Sequence, residues 1–320
     1  MTDKKPLVII TGPTAIGKTE YSIKAAKKFD GEIISADSIQ VYKYMDIGSA
    51  KVTVDEMQGI RHYLIDELYP DEEFNVFVFK ELAKKYVKEI HEKNKLPIIA
   101  GGTGFYIQAL LYDIDFKDTE ADEEYRKKLF EYAKENGNES LFELLKEKDP
   151  ESAKIIHPNN VKRVIRALEF FNQKNEPISK HNEEQKKNES PYDFVYIVLN
   201  DERERVYDNI NRRVDIMLKN GLIEEVQKLL DMGYSPELVS MQGIGYKETI
   251  AYLKDKDING KDIKDLAEEI KLNTRHFAKR QLTWFRREKD VTIINYSDYN
   301  YDKDAILDAI SNEISRVKSI

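Results

Sequence analysis

The segment GPTAIGKT, residues 12–19, has the residue types and spacing of a phosphate-binding loop. Glycines at both ends of a G-x-x-x-x-G-K-T sequence let the backbone curl until successive N–H groups face an anion, and Lys18 adds a positive charge. Thr19 offers a hydroxyl to Mg²⁺, and the helix expected to start here places its positive dipole end at the same point. A di- or triphosphate is therefore predicted to bind to Gly12, Pro13, Thr14, Ala15, Ile16, Gly17, Lys18 and Thr19.

A carboxylate is expected at the same edge of the predicted sheet. Asp37 directly follows the second predicted strand. Ligands of parallel α/β sheets lie at the carboxyl ends of the strands, so Asp37 should share a crevice with Lys18. There it could bind a metal, act as a general base, or cap the segment that follows. The residues alone leave these three roles open.

A second glycine cluster, GGTGFY at residues 101–106, follows another apolar strand. Nucleotide-hydrolysing enzymes with a phosphate loop commonly place an acidic residue after such a strand, where it holds Mg²⁺ and positions water. This chain has glycines and the hydroxyl of Thr103 there, although Asp66, after a different apolar run, could supply the acid. No strong set of hydrolysis residues accompanies the phosphate loop, but a kinase or ATPase remains an alternative.

Two predicted helices are strongly basic in a chain whose net charge is −8. In residues 161–168 the apolar positions form one stripe, and Lys162, Arg163 and Arg166 lie on the opposite face. Residues 271–287 contain six Lys or Arg and no acid, with aromatic residues between them. Phosphate contacts from such faces, combined with aromatic stacking, fit single-stranded or loop RNA. A solvated basic face is the alternative, and acidic neighbours weaken a third basic cluster at residues 203–213.

The composition excludes several classes of site. The chain has 320 residues, 41% of them hydrophobic, and no cysteine, so it holds no disulfide, zinc knuckle, iron–sulfur cluster or thiol nucleophile. Its five histidines show no metal-ligand spacing, and no apolar run approaches the ~18 residues needed to cross a membrane. The first predicted strand begins too early to leave room for a signal peptide, so we expect a cytoplasmic protein. The acidic net charge argues against a general nucleic-acid binder and confines any RNA contact to local patches.

The order of apolar runs and helical patterns predicts an α/β fold with a parallel sheet. Predicted strands lie at 7–10, 32–35, 62–65, 96–100 and 194–199, and the clearest helices at 19–29 and 74–93. The stretch between the last two strands is charged and helical, and we expect a loop in its polar tract at 181–188. The prediction is a phosphate-loop core formed by residues 1–112 and 191–320, with a mostly helical insertion at 113–190.

Seven segments, in order along nearly the whole chain, together resemble one enzyme family, the tRNA dimethylallyltransferases, also called tRNA isopentenyltransferases. The segments are GPTAIGKT (12–19), DSIQVYKYMDIGSAK (37–51), GGTGFY (101–106), HPNNVKRVIRALE (157–169), ERERVYDNINRRVDIMLKNGLIEEV (202–226), MQGIGYKE (241–248) and TRHFAKRQLTWFRR (274–287). The resemblance implies a phosphate-loop α/β core with a helical insertion that contacts tRNA. It also implies transfer of a dimethylallyl group from dimethylallyl diphosphate to N6 of the adenosine 3′-adjacent to the anticodon, with Mg²⁺ and release of diphosphate.

The resemblance assigns roles to individual residues. Asp37 matches the proposed base, Arg213 an arginine that assists the diphosphate, and Thr103 a residue that contacts RNA, so the implied catalytic set is Asp37, Thr19, Lys18 and Arg213. The implied partners are the tRNA anticodon stem-loop and dimethylallyl diphosphate, with neither a membrane nor a protein partner. The implied tRNA contacts are Asp37, Ser38, Ile39, Gln40, Thr103, Arg126, Lys162, Arg163, Val164, Ile165, Arg166, Gln242, Arg275, Lys279, Arg280 and Gln281.

One rival lies close to this family. An adenylate isopentenyltransferase would alkylate free AMP, ADP or ATP with the same donor. The basic helices and the long insertion argue against it, because a free nucleotide needs neither.

Overall fold

The computed structural model describes residues 4–115, 122–185, 188–259 and 262–318. The chain divides into two compact units, one formed by Met1–Leu110 and Pro191–Ile320 and the other by Leu111–Ser190. No helix in these described ranges combines the length and the apolar composition that crossing a bilayer requires.

The larger unit is built on a six-stranded parallel sheet in the order β3-β2-β4-β1-β5-β6. Its strands are β1 Lys5–Thr11, β2 Gly31–Ala36, β3 His62–Tyr63, β4 Leu96–Gly101, β5 Tyr192–Asn200 and β6 Val291–Asn295. The prediction of an α/β fold is therefore confirmed. Because β1 lies between β4 and β5, the chain leaves it towards β2 on one side and reaches β5 on the other, which creates a crevice at the carboxyl end of β1.

Helices cover the sheet and explain why its strands are continuous apolar runs. Val8 and Ile10 belong to the core that the sheet forms with α1 (Lys18–Phe29), to which Ile310 and Ile314 also contribute. Leu7 and Ile9 are also fully buried, although they alternate with those positions and so face the opposite side of the sheet. The remaining helices of this unit are α2 Val54–Met57, α3 Val76–Glu92, α4 Gly104–Leu111, α10 Arg203–Lys219, α11 Leu222–Asp231, α12 Tyr246–Asn259, α13 Ile263–Phe285 and α14 Lys303–Lys318, with 3₁₀ turns at Ser240–Gln242 and Tyr296–Tyr299.

The smaller unit is helical. Its helices are α5 Glu123–Asn136, α6 Asn138–Lys148, α7 Pro150–Ala153, α8 Val161–Lys174 and α9 Ile178–Gln185. Leu129, Leu141 and Leu145, three apolar positions in a charged sequence, are buried in its core together with Val164 and Leu168 of α8.

The loop predicted at 181–188 is wrong for residues 181–185, which continue helix α9; residues 186 and 187 lie outside the described residues. Asp149 gives the physical reason. Its buried carboxylate accepts hydrogen bonds from the backbone N–H and the hydroxyl of Ser179 at 3.0 and 2.6 Å, and so fixes the first turn of α9. This anchor lies about 30 positions earlier in the chain, where the composition of the tract gives no hint of it.

Candidate active site

The phosphate loop after β1 has the curled backbone that its sequence predicts. Gly12, Ala15 and Gly17 all have positive φ, at 150°, 64° and 90°. A Cβ atom at Gly12 would lie 2.4 Å from the carbonyl oxygen of Leu199 in β5, so only glycine fits there. Gly17 caps α1 without a side-chain hydrogen bond, which leaves the first N–H groups of this helix available to an anion.

Lys18 points back over this loop. Its ammonium group donates to the carbonyl oxygens of Gly12 and Pro13 at 3.2 and 2.9 Å. Burial, reinforced by the positive charge of Arg213, lowers the pKa of Lys18 to about 7, while Asp37 opposes the shift. A group in this state is poised to gain a proton when a negatively charged ligand arrives.

Arg213, from α10, reaches the same place. Its guanidinium donates to the Thr14 hydroxyl at 3.5 Å, the outer limit of a hydrogen bond. Burial lowers the pKa of Arg213, and the charge of Asp37 counteracts this. Lys18, Arg213 and Asp37 therefore lie within electrostatic reach of one another.

Asp37 directly follows β2 and shapes the loop after it. One carboxylate oxygen, Oδ1, accepts from the backbone N–H groups of Ile39 and Gln40 at 2.9 and 3.2 Å. The capping geometry considered from the sequence is thus present, but it occupies Oδ1 and closes a turn rather than starting a helix. The second oxygen, Oδ2, takes no part in these two hydrogen bonds. Thr103 is held nearby, because its N–H donates to the carbonyl of Ala36 at 3.1 Å.

Gln281 joins the two glycine-rich loops. Its side-chain oxygen accepts from the Thr14 N–H at 2.8 Å, and its amide nitrogen donates to the Gly102 carbonyl at 2.9 Å. Gln281 is only 6% exposed and holds the two loops together, and its contact with tRNA stays a prediction. The glycines are explained by the same helix, since a Cβ at Gly102 or Gly104 would lie 2.3 or 2.2 Å from Gln281 or Trp284 of α13.

The segment after Asp37 is held by contacts that sequence reasoning missed. The Gln40 amide donates to the carbonyls of Ser49 and Ala50 at 3.3 and 3.2 Å. The Glu225 carboxylate, on α11, accepts from three successive backbone N–H groups, at residues 46, 47 and 48, over 2.7 to 3.0 Å. DIGSAK and GLIEEV both belong to the family motifs, but nothing in their spacing indicates that they bind each other.

Two candidate metal positions have different surroundings. Thr19 is exposed at the start of α1, where its hydroxyl can serve a cation that accompanies a bound phosphate. Asp66, the alternative acid, instead binds the buried ammonium of Lys51 at 2.5 Å. Among the described residues, no three His, Asp or Glu side chains are grouped as a metal site.

The predicted RNA contacts of the larger unit are spread over several surfaces. Lys279 and Arg280 are exposed on α13, and Arg280 lies over the ring of Phe277 at 5.7 Å. Arg275 donates to Asn211 at 2.9 Å, and the exposed Gln242 donates to the Pro236 carbonyl at 2.7 Å. Ser38 and Ile39 are partly exposed in the turn that Asp37 closes.

In the helical unit, the predicted tRNA contacts on α8 have three different surroundings. Lys162 and Arg163 are exposed. Val164 and Ile165 are 0% and 2% exposed, because the apolar stripe packs in the core of the unit. Their contact with tRNA stays a prediction. Arg166 has a partner that the sequence did not reveal. It donates to the fully buried Glu169 at 2.8 Å.

Arg126 of α5 binds the same carboxylate. Its guanidinium contacts both oxygens of Glu169, at 2.8 and 3.1 Å. The two arginines and the Asp122 N–H lower the pKa of Glu169 against the opposing effect of burial. Part of each guanidinium is therefore committed inside the unit, which leaves less of it for an external phosphate.

Comparison with known proteins places these features in one family. The family model for IPP transferase matches residues 40–288. A tRNA dimethylallyltransferase of Lachnoclostridium phytofermentans is 56% identical over 96% of both chains, and one of Acetivibrio thermocellus is 52% identical over 94% of this chain and 95% of its own.

Solved structures agree. A tRNA isopentenylpyrophosphate transferase of Bacillus halodurans is 42% identical with a TM-score of 0.72, covering 99% of both chains. A eukaryotic dimethylallyltransferase described as acting on tRNA is 30% identical with a TM-score of 0.81, covering 98% of this chain and 80% of its own. The family that the motifs suggested is confirmed: the chain belongs to the IPP transferase family, the prenyltransferases that act as tRNA dimethylallyltransferases.

Proposed function

We propose that this protein transfers the dimethylallyl group of dimethylallyl diphosphate to N6 of the adenosine 3′-adjacent to the anticodon of tRNA. The observation that carries the proposal is that Lys18, Arg213 and Asp37 lie within electrostatic reach of one another around the phosphate loop. Two cations and free N–H groups suit a diphosphate leaving group, and the adjacent carboxylate suits a nucleophile that must lose a proton.

The proposed reaction balances as follows. The bond between the allylic carbon and the diphosphate oxygen breaks, and its electron pair leaves with the diphosphate. The N6 lone pair forms the new bond to that carbon, and N6 gives up a proton. Charge develops on the leaving group, so Lys18 and Arg213 stabilise the transition state more than the bound substrate.

Asp37 is the proposed proton acceptor. Its Oδ1 is fixed by the N–H groups of Ile39 and Gln40, which orients the carboxylate and leaves Oδ2 to receive the proton. Adenine N6 is a poor nucleophile because its lone pair is delocalised into the ring. Removal of the proton as the bond forms therefore lowers the barrier.

Mg²⁺ fits the same loop. Thr19 would hold it, because its hydroxyl is exposed at the start of α1 beside the N–H groups that face the phosphates. When bound, the ion supplies further charge neutralisation for the diphosphate. Lys18 and Arg213 would still bind the diphosphate, and Asp37 would still accept the proton.

The basic residues would hold the anticodon stem-loop. Lys162 and Arg163 on the helical unit and Lys279 and Arg280 on α13 are exposed and can reach phosphates. We propose that the helical insertion, residues 113–190, contacts tRNA through α8. Because the substrate is tRNA, we place the reaction in the cytoplasm.

The test is incubation of the protein with labelled dimethylallyl diphosphate and either unmodified tRNA, AMP or ATP. Label in tRNA alone, at the adenosine next to the anticodon, is the expected result. Label in a free nucleotide would instead support the adenylate isopentenyltransferase alternative. Stabilisation by ATP with no prenyl transfer would favour a kinase or ATPase.

A further inference from the structure

Two exposed tyrosines and a third, half-buried tyrosine lie outside the phosphate site on the larger unit. The rings of Tyr44 and Tyr69 lie 6.1 Å apart at 41°, and they are 40% and 43% exposed. Desolvation and then Asp71 raise the pKa of Tyr234. The phenols of Tyr44 and Tyr69 add to that rise, which puts Tyr234 within electrostatic reach of both. We call these residues the tyrosine cluster.

The backbone of Tyr44 is unusual. Its φ is +67°, in the left-handed region that bulky aromatic residues rarely adopt. Burial of the ring does not explain the positive φ of Tyr44, because the residue is 40% exposed. A strained conformation that presents a large ring to solvent is typical of a surface used for recognition.

Hydrogen bonds fix the backbone of the two segments that carry Tyr44 and Tyr69. The N–H of Lys43 donates to the Leu68 carbonyl at 2.8 Å, and the N–H of Tyr69 donates to Glu72 at 2.6 Å. The Lys43 ammonium lies 3.9 Å from the centre of the Tyr69 ring. Rings fixed in advance lose little freedom when a ligand stacks on them.

Its position connects it with the proposed RNA-binding segments. Tyr44 lies in the loop that begins at Asp37 and includes Gln40. The Ser240 hydroxyl donates to the Pro70 carbonyl at 2.6 Å, which joins the Tyr69 segment to the turn that contains Gln242. The cluster is therefore flanked by both of these predicted contact segments.

We propose that the tyrosine cluster is a stacking platform for an unpaired base of the tRNA substrate. This inference rests on the proposed function. Aromatic faces suit every base, the Lys43 charge can meet a phosphate, and the Asp71 carboxylate can accept from a base amino group. Recognition here concerns RNA affinity and placement, and not the chemistry at the phosphate loop.

The chain offers unusually clean variants. Tyr44→Gly removes the ring at a position whose φ suits glycine, so its thermal midpoint should equal or exceed that of the wild type. Tyr69→Ala removes the second ring, and Tyr44→Phe and Tyr69→Phe keep stacking while removing the hydroxyls. Tyr132→Ala, on α5 at 37% exposure, is the matched control.

The experiment measures the affinity of each variant for unmodified tRNA at several salt concentrations, together with prenyl transfer. We expect Tyr44→Gly and Tyr69→Ala each to weaken tRNA binding by about 5- to 100-fold with an unchanged salt slope, because stacking releases no counterions. The phenylalanine variants and Tyr132→Ala should bind like the wild type. At saturating tRNA, kcat should be preserved.

Wild-type affinity in the Tyr44→Gly and Tyr69→Ala variants would overturn the inference, and so would an equal loss in the phenylalanine variants, because the hydroxyls and not the rings would then make the contact. Failure of the wild type itself to prenylate tRNA would instead overturn the proposed function, so the two failures are distinguishable.

Discussion

At the scale of single residues, Lys18 is the ammonium group of the phosphate loop itself. Lys18→Ala should slow prenyl transfer by about 100-fold, since loss of one donor to developing charge costs ~3 kcal/mol. The measurement is the single-turnover rate at saturating substrates. Lys24→Ala, on the exposed side of the same helix and paired with Glu20, is the control and should leave the rate unchanged. Near-wild-type transfer by Lys18→Ala would contradict the role of the loop.

The lowered pKa of Lys18 makes a second prediction. In the free protein the ammonium loses its proton as the pH rises through about 7. The negative charge of bound dimethylallyl diphosphate raises the pKa of Lys18 again. At about pH 8, binding of this substrate should therefore be accompanied by the uptake of close to one proton by Lys18. Calorimetry in buffers of different ionisation enthalpy measures this uptake. Lys18→Met should show none, and proton release by the wild type would contradict the proposed environment.

Asp37 can be tested apart from its structural hydrogen bonds. Asp37→Asn keeps an oxygen for the N–H groups of Ile39 and Gln40 but cannot accept the proton. We expect kcat to fall by ~10²–10⁴-fold with tRNA affinity and thermal midpoint preserved. If the residue only caps the turn, Asp37→Asn would be active. Asp37→Ala would then lose ~1 kcal/mol of stability while kcat survives.

At the scale of elements, α13 organises the site through Gln281. Gln281→Leu leaves the Thr14 N–H and the Gly102 carbonyl without their partner, which should lower the free energy of unfolding by ~1–3 kcal/mol per buried group. The affinity for diphosphate should also fall, because Gln281 no longer fixes the phosphate loop at Thr14. Urea denaturation and pyrophosphate titration measure the two effects. Gln227→Leu, an exposed glutamine on α11, should change neither, and equal stability in both variants would contradict this role.

The elements also show what the sequence can and cannot predict. Strands β1, β2, β4 and β5 were predicted because helices bury both of their faces, which makes them apolar runs. Strand β6 was missed, because this edge strand is short and half-exposed and its residues carry a weaker pattern. The family motifs supplied the predicted site residues, and the fold class followed from the order of strands and helices.

Contacts between a side chain and a distant backbone N–H group could not be predicted from the sequence. Gln281 binds Thr14 from 267 positions away, and Glu225 binds residues 46–48 from 177 to 179 positions away. Both side chains accept hydrogen bonds from backbone N–H groups, which every residue except proline carries. The type of the residue that donates therefore gives no signal in composition or periodicity. Sequence reasoning can therefore identify the polar residue without knowing whether it faces a ligand or the chain itself.

At the scale of the whole molecule, the net charge of −8 opposes RNA, and exposed basic residues on both units must overcome it locally. Arg166 is unsuitable for a test, because its removal would disturb the buried Glu169. The exposed pair Lys162 and Arg163 is better. The matched control is the exposed pair Lys146 and Lys154, whose ammonium groups bind Glu143 and Glu151.

Lys162→Ala combined with Arg163→Ala should weaken tRNA binding and reduce the slope of log affinity against log salt by somewhat less than about one unit for each tRNA phosphate that the variant no longer neutralises. Pyrophosphate affinity should not change, because the phosphate loop and its partners Arg213 and Gln281 belong to the other unit. The Lys18→Met variant should show the opposite pattern, with weak pyrophosphate binding and an unchanged salt slope for tRNA. Combined in one chain, the two sets should add, since they act on different ligands. If the double alanine variant has the same salt slope for tRNA binding as the wild type, Lys162 and Arg163 do not contact tRNA phosphates and belong to an ordinary solvated helix face.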